Sequence, residues 1–180
     1  MVYTLETIIK HPDALINIED NKGRIVNFFV NNKGDGKFLN YKKVSVQVLS
    51  GYDKNNILET DFFGTALGIP LFSEIAKNIL QKKLIEEMIF YQSELLINGK
   101  IINCYLGKII KSSDIINKEK SVFRISSTGS KFLVKPISNE LINKSFFITK
   151  DIEYPTYFYV SDKFKELAEN NNLNIDFNEK

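Results

Sequence analysis

The chain has 180 residues, 43% of them hydrophobic and 26% charged, which is ordinary globular usage and enough for a packed core without staples. Its 24 basic and 22 acidic residues leave a net charge of +2 and are interspersed, so there is no basic stripe of the kind that neutralises nucleic-acid phosphates. A lone cysteine, Cys104, excludes an intrachain disulfide, and a lone histidine, His11, excludes a histidine-based zinc site.

In chain order, Val2 to Ile9 and Arg24 to Val30 read as short β-rich runs, separated by a polar stretch that includes Glu19-Asp20-Asn21-Lys22-Gly23. Asn31 to Lys37 is a turn cluster. Tyr41 to Leu49 alternates, with Val44, Val46 and Val48 on one face and Ser45 and Gln47 on the other, which predicts a strand with one wet face. This front section, residues 1–56, is expected to be antiparallel. Phe62 to Ile69 is the next expected strand, closed by Pro70.

Ser73 then stands as an N-cap, with Glu74 at the positive end of the helix dipole and Ile75, Ala76, Ile79 and Leu80 at helical spacing as far as about Lys83. Glu87 to Ile97 and Lys100 to Ile110 read as strands joined by Asn98-Gly99, the pair that best tolerates the positive φ of a type I′ turn. Tyr157 to Val160 is a strand, Ser161-Asp162 caps a helix carrying Phe164, Leu167 and Ala168, and Leu173 to Phe177 alternates as a last strand. Ser73 to Ile79 and Ser161 to Leu167 match in pattern, each following an aromatic-containing strand and preceding another, as in a degenerate internal repeat. The expected fold class is α+β: a largely antiparallel sheet with a few short helices, two of them in strand–Ser cap–helix–strand units. No Gly/Ser-rich or Pro-rich linker divides residues 1–180, so one domain is expected.

Familiar catalytic groupings find little support. His11 precedes Pro12 in a polar loop with nothing nearby to orient it. Cys104 lies in an apolar strand, where a thiol behaves as a small hydrophobe. Gly34-Asp35-Gly36-Lys37 lacks the spacing of a phosphate loop and reads as a hairpin turn. Paired carboxylates remain for acid–base work: Glu86 with Glu87, Asp151 with Glu153, and Asp53 with Glu59. Phe38 and Tyr41-Lys42-Lys43 are a weak aromatic and basic set for single-stranded nucleic acid. No catalytic residue, cofactor or metal is expected.

Interface candidates are clearer. In Tyr154 to Val160, alternation sets Tyr157 and Tyr159 on one face and Phe158 and Val160 on the other. The tyrosines either face outward, as large rigid groups with polar tips, or pack under a neighbouring element. Tyr154, Tyr157, Tyr159, Glu86 and Glu87 are therefore the expected partner-contacting residues. The N-terminus lacks the basic and apolar regions of a signal peptide, and no apolar run approaches the ~20 residues that span a bilayer, so a cytoplasmic location without membrane contact is expected.

The order of several segments carries a resemblance. Phe72 to Leu80, Tyr105 to Ile110, Ser113 to Phe123, Phe158 to Leu167 and Leu173 to Phe177 follow one another to the C-terminus. Residues 57–180 thereby resemble the bacterial immunity proteins of polymorphic toxin systems, in the group numbered eleven, formerly a domain of unknown function. Two positions depart from that group's pattern: Gly107 stands where Asn is usual, and Asn174 where Gly is usual. The resemblance implies a protein made beside a toxin, which binds and neutralises it and so protects the producing cell. The readings set against it are a non-catalytic adaptor module and a carboxylate-dependent enzyme.

Overall fold

The computed structural model describes residues 1–20, 22–53, 55–139 and 145–180; Asn21, within the polar stretch read above, lies outside them. The strands are β1 (Val2–Glu6), β2 (Ile16–Ile18), β3 (Val44–Val48), β4 (Phe62–Phe63), β5 (Leu71–Ser73), β6 (Met88–Ile97), β7 (Lys100–Ile109), β8 (Ser112–Ser113), β9 (Val122–Ile125), β10 (Lys131–Lys135), β11 (Ile148–Asp151), β12 (Phe158–Ser161) and β13 (Asp176–Glu179). The α-helices are α1 (Glu74–Leu80) and α2 (Asp162–Asn170). They form a six-stranded sheet in the order β2-β3-β6-β7-β5-β4, a five-stranded sheet in the order β13-β1-β12-β11-β8, and a separate two-stranded ribbon, β9-β10. The fold is α+β.

Local chemistry explains the strongest elements. Asn98 and Gly99 take φ values of 49° and 74°, and the β6–β7 hairpin they close runs in unbroken register from Ile97↔Lys100 to Met88↔Ile109. The Ser73 hydroxyl accepts the Ala76 amide at 3.0 Å and so caps α1, and Glu74 occupies its first turn. In β3, Val44 and Val46 are buried while Ser45 and Gln47 are exposed.

Five expectations are corrected. The last strand, expected over Leu173 to Phe177, is found at Asp176–Glu179, because the Leu173 and Asn174 amides are taken by the Ala168 carbonyl and Asp61 Oδ2. Arg24 to Val30 is helical instead of a strand, with Val26–Val30 forming a single π-helical turn closed by the Asn31 amide on the Val26 carbonyl. That turn buries the consecutive rings Phe28 and Phe29, which meet Tyr91 edge-on at 5.3 and 5.4 Å. Phe62 to Ile69 is two strand residues and a turn, because Thr65 Oγ1 binds both the amide and the carbonyl of Ile69. The front section is only partly antiparallel: β3 pairs with β6 in parallel, and β1 joins the C-terminal strands β12 and β13. Residues 31–40 form no hairpin; Gly34 and Gly36, both at positive φ, lead into a 3-10 turn over Lys37–Asn40.

Three apolar clusters result. One lies under Phe28 and Phe29 against the six-stranded sheet; one gathers Phe72, Leu80, Phe164 and Val160 around both helices; a small third holds Val2, Ile115, Ile116, Phe146 and Tyr159.

Candidate functional site

The sequence-predicted site residues divide by depth. Strand β12 is covered on both faces: Val160 enters the helix cluster, and Tyr159 enters the small third cluster. The alternation was read correctly, but no wet face exists here. Tyr159 is fully buried, and its hydroxyl has no hydrogen-bond partner among the described residues. Burial first, then the neighbouring Asp151 and Tyr157, raise its pKa well above the usual phenol value.

Glu87 is likewise interior. Its Oε2 accepts the amides of Phe147 (2.7 Å) and Ile148 (2.8 Å), and its Oε1 takes Lys111 Nζ at 2.9 Å. It anchors the start of β11 and presents nothing to a partner. Glu86 beside it is exposed in the turn between α1 and β6.

Asp151, from the carboxylate pairs, follows the same rule. Buried at the end of β11, it accepts Ile115 and Ile116 amides on Oδ2 and Glu153 and Tyr154 amides on Oδ1, at 2.9 to 3.1 Å. Asp53 caps the turn at Asn55 and Asn56. Glu153 pairs with Lys118. A carboxylate whose lone pairs are taken by backbone amides is a folding anchor. His11 is exposed in its loop. Burial pushes the Cys104 thiol up to about 12, which suppresses the thiolate.

Tyr154 and Tyr157 are half-buried, and both support the ribbon. The Tyr157 hydroxyl donates to the Leu133 carbonyl at 3.1 Å, and the Tyr154 ring meets Phe123 at 6.0 Å. Asp151, through Ile115 and Ile116, fixes the root of the same ribbon, where Ile116 bridges Ser138 and the Ser121 hydroxyl accepts the Ile137 amide at 2.9 Å. Of the residues expected to touch a partner, Tyr154 and Tyr157 therefore lie against β9–β10, while Glu86 and Glu87 stand apart from it.

That ribbon was missed at the sequence level. The signal was there: Val122-Phe123-Arg124-Ile125 and Lys131-Phe132-Leu133-Val134 flank Ser126 to Ser130, with Gly129 at φ 82°. Phe123 and Leu133, paired across the ribbon, turn inward, and Lys131 Nζ lies 4.0 Å from the Phe123 ring. Phe132 and Arg124, also paired, turn outward with Val122 and Val134. Four apolar side chains are left in solvent here: Val122 is 50% exposed, Ile125 69%, Phe132 55% and Val134 58%.

Two other places hold charge. Phe38, Tyr41 and Lys42 meet Arg24, Glu19 and Asp20 at an open cleft of about 800 Å³, where carboxylates sit among the cations. Lys150 is buried, donates Nζ to the Val30 carbonyl at the end of the π turn, and has its pKa lowered to about 8 by burial and then by Lys108. Lys108 lies 3.6 Å from the Phe28 ring centre, and burial lowers its pKa as well.

No protein-family model matches the chain, and no curated protein matches it. Among the described residues, no helix is long and apolar enough to cross a membrane, and no cluster of three His, Cys, Asp or Glu side chains could hold a metal ion.

Proposed function

We propose that this protein works by binding another protein without transforming a substrate, and that its partner is a bacterial toxin which it neutralises in the cytoplasm of the producing cell. The observation that carries protein binding is the row of apolar side chains on β9–β10, held in solvent by a buried platform. Monomeric proteins seldom leave such clustered apolar groups uncovered, whereas single exposed ones are common. The toxin as partner is supported by the resemblance of residues 57–180 to the immunity proteins of polymorphic toxin systems. The interior roles of Glu87 and Asp151 favour binding over carboxylate catalysis, because their oxygens already hold backbone amides.

The test is co-expression with the protein encoded by the adjacent reading frame. Cells should survive that protein only when this chain is present, and the two should co-purify as a stoichiometric complex burying about 800 Å² per partner or more. Death of the co-expressing cells with no complex formed rejects the reading.

A further inference from the structure

We infer that the outward face of β9–β10 is the docking surface, and that it meets an apolar strip bordered by carboxylates on the partner protein. This rests on the protein-binding reading above and adds where binding occurs and what chemistry it requires.

Three observations carry it. The first is isolation. Among the described residues, β9 and β10 pair only with each other, outside both large sheets. A lone two-stranded hairpin is marginal in water. This one is secured from beneath by Tyr157 on the Leu133 carbonyl, by Tyr154 on Phe123 and by Asp151 at its root. Such support orders the face before any partner arrives, which lowers the entropy lost on binding.

The second is side-chain chemistry. Phe132 and Val134 on β10, with Val122 on β9, give an aromatic anchor beside branched aliphatic groups. Aliphatic side chains have no π-face on which a base can stack, so the face suits a protein and not single-stranded nucleic acid. It has the make-up of an interface core.

The third is charge. Strands β9 and β10 carry Arg124, Lys131 and Lys135 and no Asp or Glu; Arg124 and Lys135 are exposed, and Lys131 lies over the Phe123 ring. Arg124, paired with Phe132, and Lys135, paired with Val122, thus place positive charge beside the apolar row. A second copy docked face to face across a two-fold axis would set these cations against themselves, at a cost in repulsion. A partner with carboxylates around an apolar strip turns the same charges into attraction and faster encounter.

The experiment measures binding kinetics between the purified full chain and the protein encoded by the adjacent reading frame, at low and high salt. Variants Phe132→Ser and R124E/K135E are compared with Tyr41→Ser, a control on a residue outside the ribbon. All four substituted side chains are exposed, and circular dichroism with thermal unfolding verifies that each variant is folded. Phe132→Ser should weaken binding roughly 30-fold. The charge reversal should slow association on the order of tenfold and flatten its salt dependence. Tyr41→Ser should bind as the wild type does.

A complex that forms but ignores both ribbon changes overturns this assignment and leaves the protein-binding reading standing. Absence of any complex removes both. Sedimentation showing a homodimer that Phe132→Ser dissolves would make a second copy the occupant, contrary to the inference. So would a single-stranded oligonucleotide whose binding shifts only the amides of residues 122–135.

Discussion

The carboxylate of Asp151 accepts the main-chain amide of Ile116 at 3.0 Å, across 35 residues of chain. The same oxygen takes Ile115, and its partner oxygen takes Glu153 and Tyr154, so one buried side chain joins the end of β11 to the root of the β9–β10 ribbon. Replacing it with Ala leaves four amides without their acceptor. At about 1–3 kcal/mol for each buried group stranded in this way, Asp151→Ala should cost at least ~3 kcal/mol of stability. Urea unfolding gives the magnitude. Hydrogen exchange should quicken first in residues 115–135, and an unchanged midpoint with unchanged exchange would deny Asp151 this role.

Gly107 sits where a side chain has no room. A Cβ built there would lie 2.5 Å from Met88 Sδ and 3.1 Å from Pro70 Cγ, while the Gly107 amide donates to the Pro70 carbonyl at 2.8 Å. Its φ lies outside the left-handed region, so the requirement is space, not conformation. Gly107→Asn should cost about 1–3 kcal/mol through overpacking. Shortening the neighbour in the double variant Gly107→Asn, Met88→Ala should cost less than the sum of the two single changes. Strict additivity in thermal unfolding would mean that the two side chains do not compete for the same space.

Lys150 makes stability depend on alkaline pH. Its folded pKa of about 8 lies below the usual 10.5, because burial disfavours the ammonium and Lys108 adds like charge. Between those values the unfolded chain holds more protons than the folded one, so this group raises stability as pH climbs from 8 toward 10.5, and below 8 its penalty is fully present. Lys108, also lowered, acts in the same direction. Cys104, raised from 9.0 to about 12, opposes the trend from about pH 8 upward, and tyrosines with raised pKa, such as Tyr159, oppose it near and above pH 10. Between pH 7.5 and 9.5 the slope of unfolding free energy with pH should therefore be more positive in the wild type than in Lys150→Met. Equal slopes in the two proteins would mean that Lys150 titrates normally.

Cys104 should resist alkylation while the protein is folded. Its side chain is buried in β7, and its thiol pKa is pushed up to about 12, so little thiolate exists at neutral pH and none of it is accessible. Iodoacetamide labelling followed by mass should be negligible in native buffer and rapid in denaturant. Fast native labelling would show that the strand opens readily.

Local signals in the sequence were strong wherever a few neighbouring residues settle the geometry. Asn98-Gly99 and Ser73 are examples, since a type I′ turn needs positive φ and an N-cap needs a short side-chain acceptor. Ser161 marks the limit of that logic. It stands at the N-cap position of α2, yet its hydroxyl donates to the Phe146 carbonyl, so the shared pattern with Ser73 conceals two different bonds. Arg24 to Val30 has β-rich composition, but Asp20 Oδ2 on the Val26 amide and the pocket for two adjacent rings favour a helical turn.

The α+β class, the β6–β7 hairpin, the Ser73 cap of α1, the position of α2 and the exclusion of an intrachain disulfide were legible in the sequence, because each follows from neighbours in the chain or from counting. Only the tertiary structure decided that Tyr159, Glu87 and Asp151 are interior, and that Tyr154 and Tyr157 serve as supports. Their environments are set by segments tens of residues away: Ile115 and Ile116 against Asp151 and Tyr159, Phe147 and Ile148 on Glu87, and the ribbon on Tyr154 and Tyr157. Period two tells which side chains share a face. It cannot tell whether another layer covers that face, since burial depends on contacts between segments distant in sequence.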